Sequence, residues 1–177
     1  MSRTITVDVF DLTSIQRAVR DIEDYRRWVQ DRTNELRRRV AELIAERAQE
    51  IFNGAVAADL IDESAVIGGV TVTVQENGNV STVIATGQDA IFMEFGAGVY
   101  NNGPVGSEPN PLSTENGLGF SIGSYSTYRP DKEIWAYRGS DGVRHVTHGT
   151  PASMPLYRSI MSVIDEIDRI AREVFST

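Results

Sequence analysis

Apolar residues recur along this chain in two rhythms, and the rhythms mark out its elements. Ile5, Val7 and Val9 alternate with Thr4, Thr6 and Asp8. That period of two predicts a short edge strand or an extended N-terminal arm over residues 4–10. The period then changes. Ile15, Ile22, Val29, Leu36 and Leu43 recur every seven residues, with Val19, Val40, Ile44 and Ile51 on nearly the same face. The stripe predicts an amphipathic helix over about 14–53, with Thr13 or Ser14 suited to its N-cap and Gly54 to its end. From residue 15 to 52 such a helix would run roughly 57 Å, longer than a domain of this size is wide. Either it breaks, best at Thr33–Asn34, or part of it projects and packs on another subunit.

Two stretches return to alternation. GVTVTVQ (69–75) and NVSTVIAT (79–86) flank ENGN, whose Asn77-Gly78 is a tight-turn signal, so they predict a β-hairpin. IWAYRG (134–139) and VRHVT (143–147) predict a second, turning at Gly139–Gly142. Between the hairpins, QDAIFMEF reads as a short helix or strand leading to Gly96. Residues 97–130 are rich in Gly, Pro, Asn and Ser. So long a loop is uncommon in a compact domain. It is either ordered by a partner or flexible, and Phe120, Tyr125 and Tyr128 give it aromatic groups to dock with. After Pro151, the stripe Leu156, Ile160, Val163, Ile164, Ile167, Ile170 and Val174 predicts a final helix to about Phe175, with Pro151 or Pro155 in its first turn. The order is that of an α+β fold in one domain, 1–177. A long N-terminal helix precedes an antiparallel sheet built from two hairpins, and the C-terminal helix packs on that sheet.

Composition narrows the chemistry. A chain of 177 residues, 41% hydrophobic, can bury a core of its own. The absence of cysteine removes disulfides, thiolate nucleophiles and cysteine zinc sites. No apolar run approaches the ~20 residues of a bilayer span, so no membrane partner is expected, and the polar N-terminus lacks a signal peptide's apolar segment. A net charge of −8 argues against specific nucleic-acid binding, which needs cationic surface. The run Arg37-Arg38-Arg39 does not reverse this, because Glu35, Glu42 and Glu46 lie within helical reach and can pair with it.

Glu94 is the conspicuous candidate, a carboxylate inside the apolar run IFMEFGAG. It could be catalytic, ligate a metal, or hold a charge with a structural partner. His145 and His148 form HVTH, a spacing that places them on opposite faces of a strand, and no HExxH pattern accompanies them. A hydrogen-bonded structural role is the preferred reading of both. GFSIG and GSYS do not sit on a strand-to-helix elbow as a serine nucleophile requires. FGAG and GLGFSIG do not open a helix as a phosphate loop must. Trp135 and Tyr137, two apart, share one strand face and suit packing. No catalytic, cofactor-binding or metal-ligating residue is assigned.

In order along the chain stand MEFGAG, NPL, IWAYRG, THGTPASMPLYRSI and IDRIAREVF. In this the chain resembles the tail-completion proteins (head–tail joining, minor tail) of long-tailed bacteriophages, over most of residues 35–175. The resemblance implies a non-enzymatic virion part, made in the bacterial cytoplasm and placed in the neck or tail. It also implies a ring of like subunits, hexameric in the family, that joins the tail tube to the head-completion or connector proteins, with DNA passing through and no cofactor. Glu94, Phe95, Gly96, Trp135, Tyr137, Gly149 and Pro151 are its structural or interface candidates. Glu94 would accept hydrogen bonds from loop amides after Gly96 or pair with an arginine. Two rival readings stand beside it. One is a helical module forming a coiled coil with a host or phage partner. The other is a small hydrolase that brings Glu94 to His145 or His148.

Overall fold

The computed structural model describes residues 4–57, 69–87, 89–98, 110–112, 120–121, 135–138, 142–147 and 152–176. It is a mixed helix and strand fold. A long N-terminal helix carries an antiparallel hairpin, and C-terminal helices pack alongside.

Helix α1 spans Leu12–Ala57, 46 residues, or roughly 69 Å. Its cap is Asp11, whose Oδ1 accepts the Thr13 N–H at 2.9 Å; neither Thr13 nor Ser14 fills that place. Ser14 instead turns the preceding arm back, accepting the Asp8 N–H at 2.9 Å. Residues 4–8 take no strand partner among the described residues. Of the two alternatives for so long a helix, the break at Thr33–Asn34 does not occur. The Thr33 hydroxyl donates to the Val29 carbonyl one turn back at 2.8 Å, and Asn34 accepts from Arg37, so both polar side chains serve the helix that contains them. Gly54 does not end it either, since without a left-handed turn there the chain continues to Ala57.

Strands β1 (Thr71–Asn77) and β2 (Val80–Thr86) form the predicted hairpin, with Asn77 opposite Val80. The turn therefore has two residues, and Gly78 supplies its left-handed φ of 57°. Polar side chains of α1 bind this hairpin directly. Gln49 behaves as a strand neighbour, donating to the Val70 carbonyl and accepting from the Val72 N–H, both at 2.8 Å. Arg37 reaches Ser81 at 2.9 Å and Glu76 at 2.8 Å. The rest of the arginine run pairs along the helix, Arg38 with Glu35 and Glu42, Arg39 with Glu35. Glu46 takes no part in these ion pairs among the described residues.

Helix α2 (Ala90–Phe95) shows the AIFMEF part of that run to be helical. Beyond it, β3 (Ala97–Gly98) pairs in parallel with β4 (Phe120–Ser121). β5 (Trp135–Arg138) pairs antiparallel with β6 (Arg144–Thr147), the second predicted hairpin. Each pair stands as its own two-stranded sheet among the described residues. Most of the 97–130 loop lies outside those residues, as do Tyr125, Tyr128, His148, Gly149 and Pro151.

The C-terminal stripe forms two helices, α3 (Pro155–Ile164) and α4 (Ile167–Ser176), joined by an elbow at Asp165–Glu166. One core centre unites Ala48 and Phe52 of α1 with Val70 and Met93, flanked by Val72, Ala85 and Leu156. A second packs Val163, Ile170 and Val174 against Leu36, Val40, Leu43 and Ile44. Arg47 clamps the elbow to α1, donating to Ser162 at 2.8 Å and to Glu166 at 2.5 Å. Not all of the two stripes is buried. Ile15, Val19 and Ile22 on α1, and Ile160, Ile164 and Ile167 on the elbow, remain exposed.

Truncating the first core centre and trimming the exposed stripe should therefore have unequal effects. Phe52→Ala should cost about 3–5 kcal/mol, whereas Ile22→Ala in dilute solution should stay within about 0.5 kcal/mol. Denaturant unfolding of the two variants measures this, and equal losses would contradict the division between buried and exposed seam.

Candidate functional site: a buried carboxylate at a helix start

Helix α3 begins without a cap of its own. Pro155 holds its first position and has no N–H, and Met154 before it has no side-chain acceptor and a left-handed backbone (φ 52°, ψ 51°). The next two amides are satisfied from another element. Glu94, in the last turn of α2, lies 6% exposed. Its Oε2 accepts the Leu156 N–H at 2.8 Å and its Oε1 accepts the Tyr157 N–H at 3.0 Å. The carboxylate is thus an N-cap delivered in trans, where the helix dipole favours negative charge.

A third donor comes from the long loop. Asn110, fully buried, gives its side-chain N–H₂ to Glu94 Oε1 at 2.9 Å and to the Glu94 carbonyl at 3.2 Å. Its own Oδ1 accepts the Leu112 N–H at 3.0 Å and so fixes the local turn. One residue earlier, the Met93 carbonyl accepts the Ser153 and Met154 amides at 2.9 and 3.1 Å and the Ser153 hydroxyl at 3.2 Å. Gly96 then releases the chain from α2 with φ 75°, its N–H bonded to the Phe92 carbonyl at 2.8 Å. A side chain there would be strained. Phe95 is half-buried beside it.

Burial raises the Glu94 pKa above the usual glutamate value, and the amides of Leu156 and Tyr157 with the Asn110 side chain pull it partly back. Glu94 has no arginine partner among the described residues; two of the amides it binds are backbone groups at the start of α3, and the third is the side-chain amide of Asn110 in the loop after Gly96. The arginine expectation is thus corrected, and the expectation of loop amides is met only by Asn110, most of the carboxylate's donors coming from α3. The physical cause is that α3 has free amides and no local acceptor. Asp89 is a second buried acid, with its pKa raised by burial. Sequence reasoning missed Asp89, Asn110 and the two amides. Met154, in place of a Ser, Thr, Asp or Asn at the position directly before Pro155, was the available signal.

The other candidates lie elsewhere. Trp135 and Tyr137 sit on β5, and Tyr137 lies directly across the ladder from His145 of β6. His148, Gly149 and Pro151 fall outside the described residues. No cluster of three or more potential metal ligands occurs among the described residues. No helix of the described residues is long and apolar enough to cross a membrane.

Glu94→Gln turns an amide N–H₂ toward backbone N–H groups and should cost about 1–3 kcal/mol, as should Asn110→Ala through loss of the third donor. Unchanged unfolding midpoints in both would deny the junction its role. The pH dependence has a definite sign. A carboxyl whose folded pKa is raised favours the folded state below the unfolded pKa, and that contribution fades as pH rises through the folded pKa. Glu166, lowered by its Arg47 and Arg169 hydrogen bonds, has the opposite sign: its contribution fades as pH falls. The stability of the natural chain relative to Glu94→Gln should therefore decline from acid toward neutral pH, and unfolding curves of the pair at several pH values read the slope. No family model, curated protein or solved structure matches this chain, so the chemistry of the junction itself carries its interpretation.

Proposed function

We propose that this chain is a structural virion protein of a tailed phage or prophage. As a neck or tail-completion subunit it would join the tail tube to the head connector as a ring of its own copies. The observation that carries this reading is the convergence at Glu94. MEFGAG supplies the carboxylate, NPL supplies Asn110, and MPLYRSI supplies the amides of Leu156 and Tyr157. Three of the segments on which the resemblance rests therefore meet at one buried contact. A motif set selected for a shared architecture is expected to converge this way. The contact uses three of the carboxylate's roughly four accepting sites in holding three chain segments together, which suits a scaffold.

Two further features fit a ring subunit. Apolar surface left open on α1 and on the elbow suits a chain that is completed by neighbours. The net charge of −8 suits a wall past which DNA moves, because like charges repel. The exposed heptad face of α1 also favours a second reading, a coiled-coil module for a host or phage partner, which predicts a dimer or hetero-complex by sizing in place of a ring.

Particles assembled without this product test the proposal. Electron microscopy should show filled heads and free tails that fail to join. Joined particles in normal yield would overturn it.

A further inference from the structure

A two-stranded sheet has two edges, and the hairpin β1–β2 treats its edges differently. Gln49 binds the Val70 carbonyl and the Val72 N–H, so the even-numbered residues of β1 turn their main-chain groups away from β2. Their partners across the ladder, Ser81, Val83 and Ala85, turn theirs outward on the far side. Gln49 closes the start of the β1 edge, and Glu76, paired with Arg37, puts a charge at its other end. The outward N–H and C=O groups of Ser81, Val83 and Ala85 take no hydrogen bond among the described residues. Exposed edges are ordinarily blunted by charge, proline or a bulge. β2 reads VSTVIAT, seven residues in unbroken register with no charge and no proline. The strands of the other two pairs are only two and four residues long, and β5–β6 carries Arg138 opposite Arg144. Among the described residues, β2 is thus the long edge without a guard.

Residues 4–8 have what such an edge lacks. Ile5 and Val7 alternate with Thr4, Thr6 and Asp8 at strand period. Thr4 to Val7 take no hydrogen bond among the described residues, and Val7 is 43% exposed. This segment cannot meet the hairpin of its own chain. The bond from the Asp8 N–H to Ser14 ties it to the start of α1, and even fully extended Thr4 lies within about 14 Å of Asp8. The β2 edge begins beside Arg37, which donates to Ser81, and Arg37 stands about 35 Å along the helix from Ser14. A strand-patterned arm that its own sheet cannot receive, and a strand edge that its own chain does not fill, can satisfy each other only between two copies.

We infer that residues 4–8 of one copy of this chain add as a strand to the open β2 edge, Ser81 to Ala85, of a second copy. Main-chain hydrogen bonds carry such a contact, so it needs no match of side-chain charge. The contact is head to tail. Each copy gives its arm to one neighbour and receives an arm from the other, and the series closes into a ring where the rotation permits. Pairing of β2 with β2 of a second copy would fill the edge and leave the strand pattern of the arm without a partner. The inference rests on the self-assembly proposed above and adds to it the two segments that meet.

The chain has no cysteine, so introduced ones report the contact directly. Treated with a short bifunctional maleimide, a mixture of Thr6→Cys and Thr82→Cys chains should cross-link one to the other, while neither cross-links to itself. The double variant Thr6→Pro with Val7→Pro removes an N–H from each side of the arm, and Thr82→Lys sets a charge on an exposed position of the edge strand. Each should weaken self-association at least about tenfold and leave the unfolding midpoint of the dilute chain unchanged. Sedimentation up to about 1 mM, the limit of weak association, reads the loss. A monomer throughout that range overturns the inference, as does association untouched by the proline pair or a Thr82→Cys dimer without the mixed product. The two proposals fail separately. Mixed cross-links with normally joined particles would sink the virion role alone. Unjoined particles with no mixed cross-link would sink the strand contact alone.

Discussion

A carboxylate withdrawn from water must be given donors, and a helix start withdrawn from water must be given acceptors. Glu94 and the first turn of α3 are each the answer to the other's need. Without the α3 amides, Glu94 would be a buried charge with only the Asn110 side chain. Without Glu94, the Leu156 and Tyr157 N–H groups would lie beside Pro155 and Met154, which offer no side-chain oxygen. The partners stand 62 and 63 positions apart in the chain, so the bond is a tertiary staple rather than a local cap. The rest is arranged around it. α3 can lie along α1 only if its start is fixed, and with α3 comes the elbow that Arg47 holds by Ser162 and Glu166.

The same residues explain what could be read from the sequence and what could not. The first hairpin was legible because Asn77-Gly78 and the flanking alternation are local signals, and the ladder follows them. The long helix was legible for the same reason, but not its continuity. Thr33 and Asn34 read as breakers until their side chains turn out to bond within the helix. Glu94 was legible as an anomaly and illegible as a contact, because two of its three donors are backbone amides that carry no side-chain signature and the third, Asn110, lies 16 positions away in the loop. Periodicity also overstated burial. Ile160, Ile164 and Ile167 continue the C-terminal stripe, yet they lie outside the core, which takes Val163, Ile170 and Val174 instead. A repeat of apolar residues specifies a face; only packing decides whether this chain or another covers it.

That distinction bears on how α1 persists beyond its own support. Between Leu12 and Arg27 the helix has one ion pair among the described residues, Asp24 with Arg27, and it is exposed and worth little. Isolated helices of this length are marginal in water. The N-terminal turns extend from the part of α1 that α3, α4 and the hairpin grip, past the contact of Trp28 with Phe175, and they bury Ala18 while leaving the seam open. Such an arm is ordered enough to present Leu12, Ile15, Val19 and Ile22 as one face, and weakly enough held to fray when nothing covers them. Docking on that face would then stiffen the arm as well as bury its apolar area. Any partner that covered the face would stabilise the folded chain by mass action, and the open apolar surface would be the source of that coupling.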